Sequence, residues 1–251
     1  MTTQVKTERH GAVLTAVLNR PEKKNALTGE MYDALRDALA TSSSDDGIAV
    51  VLFAGEGGVF TAGNDILDFA TQAQAAGGVE DSPGGKFIRA LARFDKPLVA
   101  AVEGVAVGIG TTLCFHCDLV YAAPSARFRM PFVDLGLVPE AGASRLAPTR
   151  FGLARAAEYL LLGEAFDAET ARELGFVNAV TPAGSLRALA MEKAQALAAK
   201  PRAAMLATRR LMRGDREPLY AHMEVELEAF AAAVRSPEAR QAFMAFLAKG
   251  N

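Results

Sequence analysis

The stretch KPLVAAVEGVAVGIGTTLCFHCD, from Lys96 to Asp118, decides the fold. Its first apolar run, residues 98–102, is short and contains β-branched residues, which predicts a buried strand. A second apolar run, residues 111–117, follows Gly108-Ile109-Gly110 and predicts a buried helix that begins at these glycines. Such a helix presents unpaired backbone N–H groups and the positive end of its dipole to its surroundings. These groups suit a carbonyl oxygen that acquires negative charge.

A second segment of the same kind, Phe60-Thr61-Ala62-Gly63-Asn64-Asp65, follows a predicted buried strand at residues 48–54. A single glycine cluster is equally typical of tight packing between a helix and a strand. Two separate sources of backbone N–H groups are what an oxyanion hole requires. The two segments together therefore indicate a site that stabilises an oxyanion.

Glu140 is the candidate general base of such a site. It lies alone in the apolar and glycine-rich context LVPEAG, residues 137–142. A carboxylate in apolar surroundings is desolvated, so its proton affinity rises and it becomes a useful base. The alternative is a surface acid in the loop that starts a helix.

Several separated motifs, taken in order, resemble the crotonase, or enoyl-CoA hydratase/isomerase, superfamily. They are FTAGND at residues 60–65, AVEGVAVGIG at 101–110, CDLVYA at 117–122 and PFVDLGLVPEAGASRL at 131–146. The resemblance extends over nearly the whole chain. It implies an α/β fold, a crotonase-like ββα spiral core with a C-terminal helical trimerisation domain, and an acyl-CoA thioester as substrate.

The change from alternating strands and helices to helices alone marks a domain boundary. We expect a catalytic domain at residues 1–184 and a helical oligomerisation domain at residues 185–251. The apolar faces of the second domain, with Met205, Leu206, Leu211 and Met212, exceed what so small a unit needs. The resemblance implies that they pack in a homotrimer, or in a hexamer made of two trimers.

Composition excludes several other classes of protein. At 251 residues and 51% apolar content the chain can bury a large core, and its formal net charge of −2 provides no basic field for nucleic acid or an anionic membrane. No apolar run approaches a membrane span, and the polar N-terminus resembles neither a signal nor a transit peptide, so we expect a cytoplasmic protein. P-loop, dinucleotide and Gly-x-Ser-x-Gly motifs are absent from the sequence.

The spacing of Cys114, His116 and Cys117 superficially matches a redox or metal motif. Zinc needs more ligands, and the other histidines, His10 and His222, lie far away in sequence. We expect both cysteines to be small buried apolar residues. No metal site is predicted, and no cofactor is expected because coenzyme A is part of the substrate.

The resemblance implies a reaction through an enolate whose oxygen rests on two backbone amides. Matched by motif, these amides belong to Asn64 and Ile109, and Glu140 is the catalytic carboxylate. The two glutamates that hydratases of the family use would fall on Thr112 and Phe132, which can neither act as a base nor hold a water. Thr112 is assigned no role. The presence of a single catalytic glutamate, at the position of Glu140, most resembles the peroxisomal-type Δ3,Δ2-enoyl-CoA isomerases. These enzymes convert 3-enoyl-CoA to 2-trans-enoyl-CoA.

The resemblance also implies which residues contact the substrate. Lys24 belongs to a loop that borders the nucleotide of coenzyme A, and the loop from Thr71 to Gly85 borders the acyl pocket. Asp65 is also expected to cap the next helix. The full set of predicted substrate contacts is Lys24, Ala26, Ala62, Asp65, Ile66, Gly110, Phe132, Phe246 and Lys249.

Two alternatives to the isomerase stay open. One is an enoyl-CoA hydratase or another thioester reaction of the same family. The other is a protein that has lost the chemistry and binds acyl-CoA without turning it over. Binding without turnover would identify the second alternative.

Overall fold

The computed structural model of the protein describes residues 3–73 and 78–249, apart from the side chains of residues 72, 73, 246, 247 and 249. The strands are β1 (Val5–His10), β2 (Val13–Leu18), β3 (Val50–Gly55), β4 (Leu98–Val102), β5 (Val105–Val107), β6 (Leu119–Ala122), β7 (Arg127–Arg129), β8 (Ala165–Asp167) and β9 (Ala179–Val180). The helices are α1 (Gly29–Ser44), α2 (Ile66–Ala73), α3 (Pro83–Arg93), α4 (Ile109–Thr112), α5 (Ala143–Phe151), α6 (Leu153–Leu161), α7 (Ala168–Glu173), α8 (Ala183–Ala198), α9 (Arg202–Arg213), α10 (Glu217–Val234) and α11 (Pro237–Lys249). Short 3-10 turns span Pro21–Lys23, Leu113–His116 and Val133–Leu135.

The larger sheet has the strand order β1-β2-β3-β4-β6-β9. β1 and β2 form an antiparallel hairpin, and each later pair of neighbours is parallel. Strands β2 and β4 are buried along their whole length, and β3 is buried except for its last residue, Gly55. Parallel strands covered on both faces have this continuous apolar pattern, which is why residues 98–102 were recognisable in the sequence.

Helices cover both faces of the larger sheet. On one face α1 and α3 contribute Met31, Leu35 and Phe87 to the main apolar core. On the other face α8 contributes Ala190 and Ala194, whose small side chains let the helix lie close to β2, β3 and β4. The predicted domain boundary at residue 185 falls in the first turn of α8, a helix that completes the core of the sheet. The division into two domains stays a prediction.

A smaller sheet, β5-β7-β8, brings the two glycine-containing segments together. β4 turns into β5 at Gly104, where φ is +61° and an added Cβ would lie 2.4 Å from the Gly58 carbonyl oxygen. An isolated parallel bridge joins Thr61 to Ala106 in β5. Residues 60–65 therefore lie beside residues 105–110.

Several predicted local structures are confirmed. The hairpin is formed by β1 and β2, and α1 begins after Thr28, whose Oγ1 accepts a hydrogen bond from Met31 N at 3.4 Å. Asp167 caps α7 by accepting a hydrogen bond from Thr170 N at 2.9 Å. These starts were predictable because capping residues act within one helical turn.

Two local predictions are wrong in extent. The helix expected at residues 111–117 is the short α4 followed by the 3-10 turn Leu113–His116, because the chain tightens before it enters β6. The loop expected from Thr71 to Gly85 is too long. Ser82 accepts a hydrogen bond from Gly85 N at 3.1 Å and Pro83 begins α3, a combination that starts a helix. Part of that predicted loop, residues 74–77, lies outside the described residues.

The C-terminal helices pack partly on the core and partly face outward. Helix α10 contacts α3 and α5, and α11 contacts the turn Val133–Leu135. On α9, Leu211 and Met212 are each 83% exposed. In the described part of the chain, no helix is long and apolar enough to cross a membrane.

Candidate active site

Glu140 lies in the turn before α5, with 6% of its surface exposed. It borders a cavity of about 30 Å³ that is also lined by Leu27 and Leu227. Burial, aided by the nearby Glu226 carboxylate and opposed by a hydrogen bond from Thr112, raises the pKa of Glu140 to about 8. The alternative of a solvated surface acid is therefore excluded. A carboxyl group that titrates near neutral pH is suited to take and return protons.

Thr112 holds one oxygen of this carboxyl group. Its Oγ1 donates a hydrogen bond to Glu140 Oε1 at 2.5 Å, whereas Oε2 is buried without a partner among the described residues. The carboxyl group is thus oriented, with one oxygen held and the other free to exchange a proton. Sequence analysis assigned Thr112 no role, whereas in the structure its hydroxyl is the hydrogen-bond partner of the Glu140 carboxyl group. A threonine in a buried helix needs a hydrogen-bond partner, and that need was the available signal.

The backbone of Asn64 provides one candidate amide donor. Leu27 N donates to Gly63 O at 2.8 Å, and Asp65 N donates to Leu27 O at 2.9 Å. In a parallel bridge of this pattern, the intervening residue directs its own N–H away from the partner strand. The Asn64 N–H therefore faces away from Leu27. Asn64 as a residue lines both the cavity and a larger neighbouring groove.

Ile109 provides the second candidate donor. It is the first residue of α4, so its N–H has no partner within the helix, and Gly108 before it has φ of +54°. The two donor segments touch. A Cβ on Gly63 would lie 2.8 Å from Val107 O, and one on Gly110 would lie 2.6 Å from Thr61 Cγ2. Only glycine permits these approaches.

A groove of about 860 Å³ adjoins the cavity. Asn64 and Ile109 both line it. The predicted contacts that line it are Lys24, Ala26, Ala62, Asp65, Ile66 and Phe132. Gly110 is not among the lining residues and packs against Thr61 instead. The side chains of Phe246 and Lys249 lie outside the described residues, although Phe243 of the same helix lines the groove.

A buried asparagine shapes the loop at the edge of this groove. Asn25 has φ of +53°, and its Nδ2 donates to the carbonyl oxygens of Glu56 at 2.9 Å and Val59 at 2.7 Å. Lys24 O in turn accepts a hydrogen bond from Ala62 N at 2.9 Å. These bonds fix the position from which Lys24 faces the groove, where a cation suits a phosphate group.

Asp65 has mainly structural partners. Its Oδ1 accepts hydrogen bonds from the N–H groups of Leu67 and Asp68, both at 3.2 Å, and its Oδ2 pairs with Arg20 at 2.7 Å. Burial raises the pKa of Asp65, but the hydrogen bonds and the Arg20 charge outweigh this and lower it. The predicted helix cap is confirmed, and the carboxylate stays ionised.

Tyr32 was missed by sequence analysis. Its hydroxyl donates to Asn64 Oδ1 at 2.5 Å, which fixes the Asn64 side chain beside the cavity. Burial, with Glu140 and Asp68 as further causes, raises the pKa of Tyr32 well above its ordinary value. Tyr32 therefore stays neutral and keeps its proton as a donor. Its place on the apolar face of α1 gave no sign of a partner 32 residues away.

The segment Cys114 to Cys117 is buried and serves packing. Burial raises the pKa of both cysteine thiols, so they stay protonated. Burial lowers the pKa of His116 to about 3, so its ring is neutral, and Nε2 donates to Ala141 O at 2.7 Å. Among the described residues, no group of three or more His, Cys, Asp or Glu side chains is arranged to hold a metal ion.

Comparisons with known proteins match this architecture along most of the chain. The sequence model of the family described as Enoyl-CoA hydratase/isomerase matches residues 8–251. Enoyl-CoA delta isomerase 2 of Rattus norvegicus is 35% identical over 246 residues, which cover 95% of this chain and 62% of the relative. The chain thus spans less than two thirds of that relative.

Two further relatives are similar over almost their whole length. The 1,2-epoxyphenylacetyl-CoA isomerase of Escherichia coli strain K12 is 36% identical over 242 residues, which cover 94% of this chain and 92% of the relative. The solved structure of Pseudomonas aeruginosa OdaA is 42% identical, with a TM-score of 0.93 and coverage of 98% of this chain and 99% of the other.

Proposed function

The chain belongs to the enoyl-CoA hydratase/isomerase family, and we propose that it shifts the double bond of a 3-enoyl-CoA to the 2-trans position. Family membership and the crotonase fold, predicted from the motifs, are confirmed. Relatives of similar identity carry the names of different isomerases, so the family does not decide between reactions. The proposal for this chain therefore depends on its side chains.

The observation that carries the proposal is the carboxyl group of Glu140, with Oε1 held by Thr112 and Oε2 free. Hydratases of this family use two glutamates, and the corresponding positions hold Thr112 and Phe132. Both residues are buried, and Phe132 lines the groove. The other carboxylate that borders the cavity, Asp68, accepts a hydrogen bond from Gly29 N at 2.8 Å, at the start of α1. A single free carboxyl oxygen supports chemistry with one base.

A 1,3-proton shift needs one base and two donors for the oxyanion, which are the groups that this site offers. Glu140 removes a proton from C2 of the 3-enoyl thioester, and the electrons move onto the thioester oxygen to give a dienolate. The N–H groups of Asn64 and Ile109 stabilise this oxyanion. The same carboxyl group then returns the proton at C4, and the double bond moves to C2–C3. No water, oxidant or metal takes part.

The test compares two substrates on one enzyme preparation. Purified protein should convert 3-hexenoyl-CoA to 2-trans-hexenoyl-CoA and hydrate the product slowly, with chromatography separating the three species. Faster hydration than isomerisation would contradict the proposal and favour a hydratase. Binding of both thioesters in calorimetry, without turnover of either, would identify a non-catalytic binder.

A further inference from the structure

The turn that carries Glu140 has an unusual backbone. Ala141 has φ of +58° and Gly142 has φ of +75°. A residue with a Cβ rarely adopts positive φ, and it does so when its surroundings hold it there. The direction of the Glu140 side chain therefore depends on what holds the two residues after it.

Glu226, on α10, holds this turn from one side. It is buried, and its Oε2 accepts a hydrogen bond from Gly142 N at 2.5 Å. Its Oε1 accepts from Ser144 N at 2.9 Å and from Ser144 Oγ at 2.5 Å. A carboxylate at this place satisfies free N–H groups at the start of α5 and complements the helix dipole.

Two histidines complete the arrangement. On the far side of the turn, the neutral His116 donates to Ala141 O, as described above. Next to Glu226, His222 Nε2 lies 2.7 Å from Ser144 Oγ and 3.7 Å from Glu226 Oε1. The backbone from Ala141 to Ser144 is therefore held from two directions.

Helix capping alone does not explain Glu226. A serine or asparagine N-cap is the usual acceptor at a helix start, and it buries no second carboxylate near Glu140. Burial raises the pKa of Glu226, and the Glu226 charge in turn raises the pKa of Glu140. A buried acid at this place thus influences both the geometry and the proton affinity of the base.

We propose that Glu226 is a positioning residue for Glu140, acting through the backbone of Gly142 and Ser144 to direct the catalytic carboxyl group. This inference rests on the proposed role of Glu140 as the base. Glu226 touches no reacting atom in this account. Glu226 lies 84 residues after Gly142 in the sequence, on a different helix from the one that this turn begins.

The test compares Glu226→Gln with Glu228→Gln, a change of the same kind at an exposed position on the same helix. We expect Glu226→Gln to lower kcat by about tenfold or more with KM changed by less than about twofold, because displacement of a catalytic group by about 1 Å is costly. The midpoint of the acid limb of the pH profile should move down, since a like charge is removed. Glu228→Gln should change neither kcat nor the midpoint of the pH profile.

The outcomes separate a positioning role from a merely structural one. A folded Glu226→Gln with normal kcat and an unmoved midpoint would overturn the proposal. So would a loss of kcat no larger than that of Glu228→Gln. If Glu226→Gln does not fold, Glu226→Asp keeps the charge but withdraws the carboxylate from the N–H groups of Gly142 and Ser144, and a kcat equal to that of the parent would then refute the proposal.

A second measurement separates this inference from the proposed reaction. Exchange of the C2 hydrogens of butyryl-CoA in D2O, followed by mass spectrometry, needs the base and the oxyanion donors but no double bond. Exchange without isomerisation would reject the proposed function alone, and the loss in Glu226→Gln should persist in the exchange rate. Absence of both activities in the parent would reject Glu140 as the base and the positioning role with it.

Discussion

At the scale of single residues, Glu140 predicts how activity depends on pH. Its pKa is raised to about 8, chiefly by burial. In the proposed reaction the ionised form is the base. Because protonation removes the base, kcat/KM should fall about tenfold for each pH unit below a midpoint near 8. The measurement is the isomerisation rate from pH 5.5 to 9.5. A midpoint below 5 would contradict the assignment.

The matching substitution is Glu140→Gln, which is nearly isosteric but cannot accept the C2 proton. We expect acyl-CoA binding to persist while kcat falls about 10²–10⁴-fold, the usual cost of losing a general base. Calorimetry with a saturated acyl-CoA checks binding, and steady-state kinetics checks kcat. Retention of more than about half of the parent activity would show that another group is the base.

Substitution of Thr112 should shift the midpoint of the pH profile in the opposite direction from substitution of Glu226. The Thr112 hydrogen bond lowers the pKa of Glu140, so Thr112→Val should move the midpoint of the pH profile upward. Loss of orientation should also lower kcat by about tenfold. Thr112→Ser keeps the hydroxyl and is the control, expected to resemble the parent. An unmoved midpoint in Thr112→Val would show that the hydrogen bond does not act on the base.

The limits of sequence reasoning are clear at this scale. Glu140 was recognisable because its apolar neighbours are adjacent in sequence. Thr112 was not, because the atom that it contacts is 28 residues away and its own neighbours are apolar. Ser144 and Glu226 are 82 residues apart. Partners at such separations are set by packing between elements, which a local pattern does not contain.

At the scale of elements, the donor segments depend on glycine. Gly63 has φ of +89°, and a Cβ there would lie 2.8 Å from Val107 O. We expect Gly63→Ala to lower the free energy of unfolding by about 2–3 kcal/mol and to reduce kcat by displacing the Asn64 amide. Chemical denaturation and kinetics measure the two effects.

The control for this prediction is Gly175→Ala. Gly175 also has positive φ, +69°, but an added Cβ would meet nothing within 4 Å. The Gly175→Ala variant should lose about 1 kcal/mol of its free energy of unfolding, from backbone strain alone, and it should keep its activity. Equal effects of the two substitutions would show that the close approach at Gly63 is unimportant.

Elements with their own local signals were predictable, and elements shaped by neighbours were not. Thr28 and Asp167 mark helix starts within a single turn, and the run at residues 98–102 reads as a strand covered on both faces. The 3-10 turn Leu113–His116 results from how α4 joins β6, so the apolar run alone predicted a longer helix. Ser82-Pro83 did carry a start signal, which the surrounding glycines obscured.

At the scale of the whole molecule, the prediction concerns assembly. We expect a homotrimer, or a hexamer of two trimers, as the family resemblance implies. Leu211 and Met212 on α9 are almost fully exposed, and apolar side chains at such exposure favour burial by a partner. Light scattering on purified protein measures the mass directly. A monodisperse monomer at micromolar concentration would contradict the prediction.

A matched pair of substitutions locates the surface involved. Leu211→Glu combined with Met212→Glu should shift the mass toward the monomer, because two buried charges at an apolar contact are costly. Leu153→Glu, at a residue 77% exposed on α6, is the comparison for a different outward face. The surface that matters is the one whose substitution changes the mass.

The strand order of the larger sheet also bears on how the protein is made. Since β1-β2-β3-β4-β6-β9 follows the order of synthesis, each strand that leaves the ribosome can pair with an edge already formed. The sheet can grow strand by strand during translation. Glu226, however, is translated long after Glu140. If it positions the proposed base, we expect the nascent chain to assemble its sheet before that base is aligned, and to gain the proposed activity only after α10 has packed.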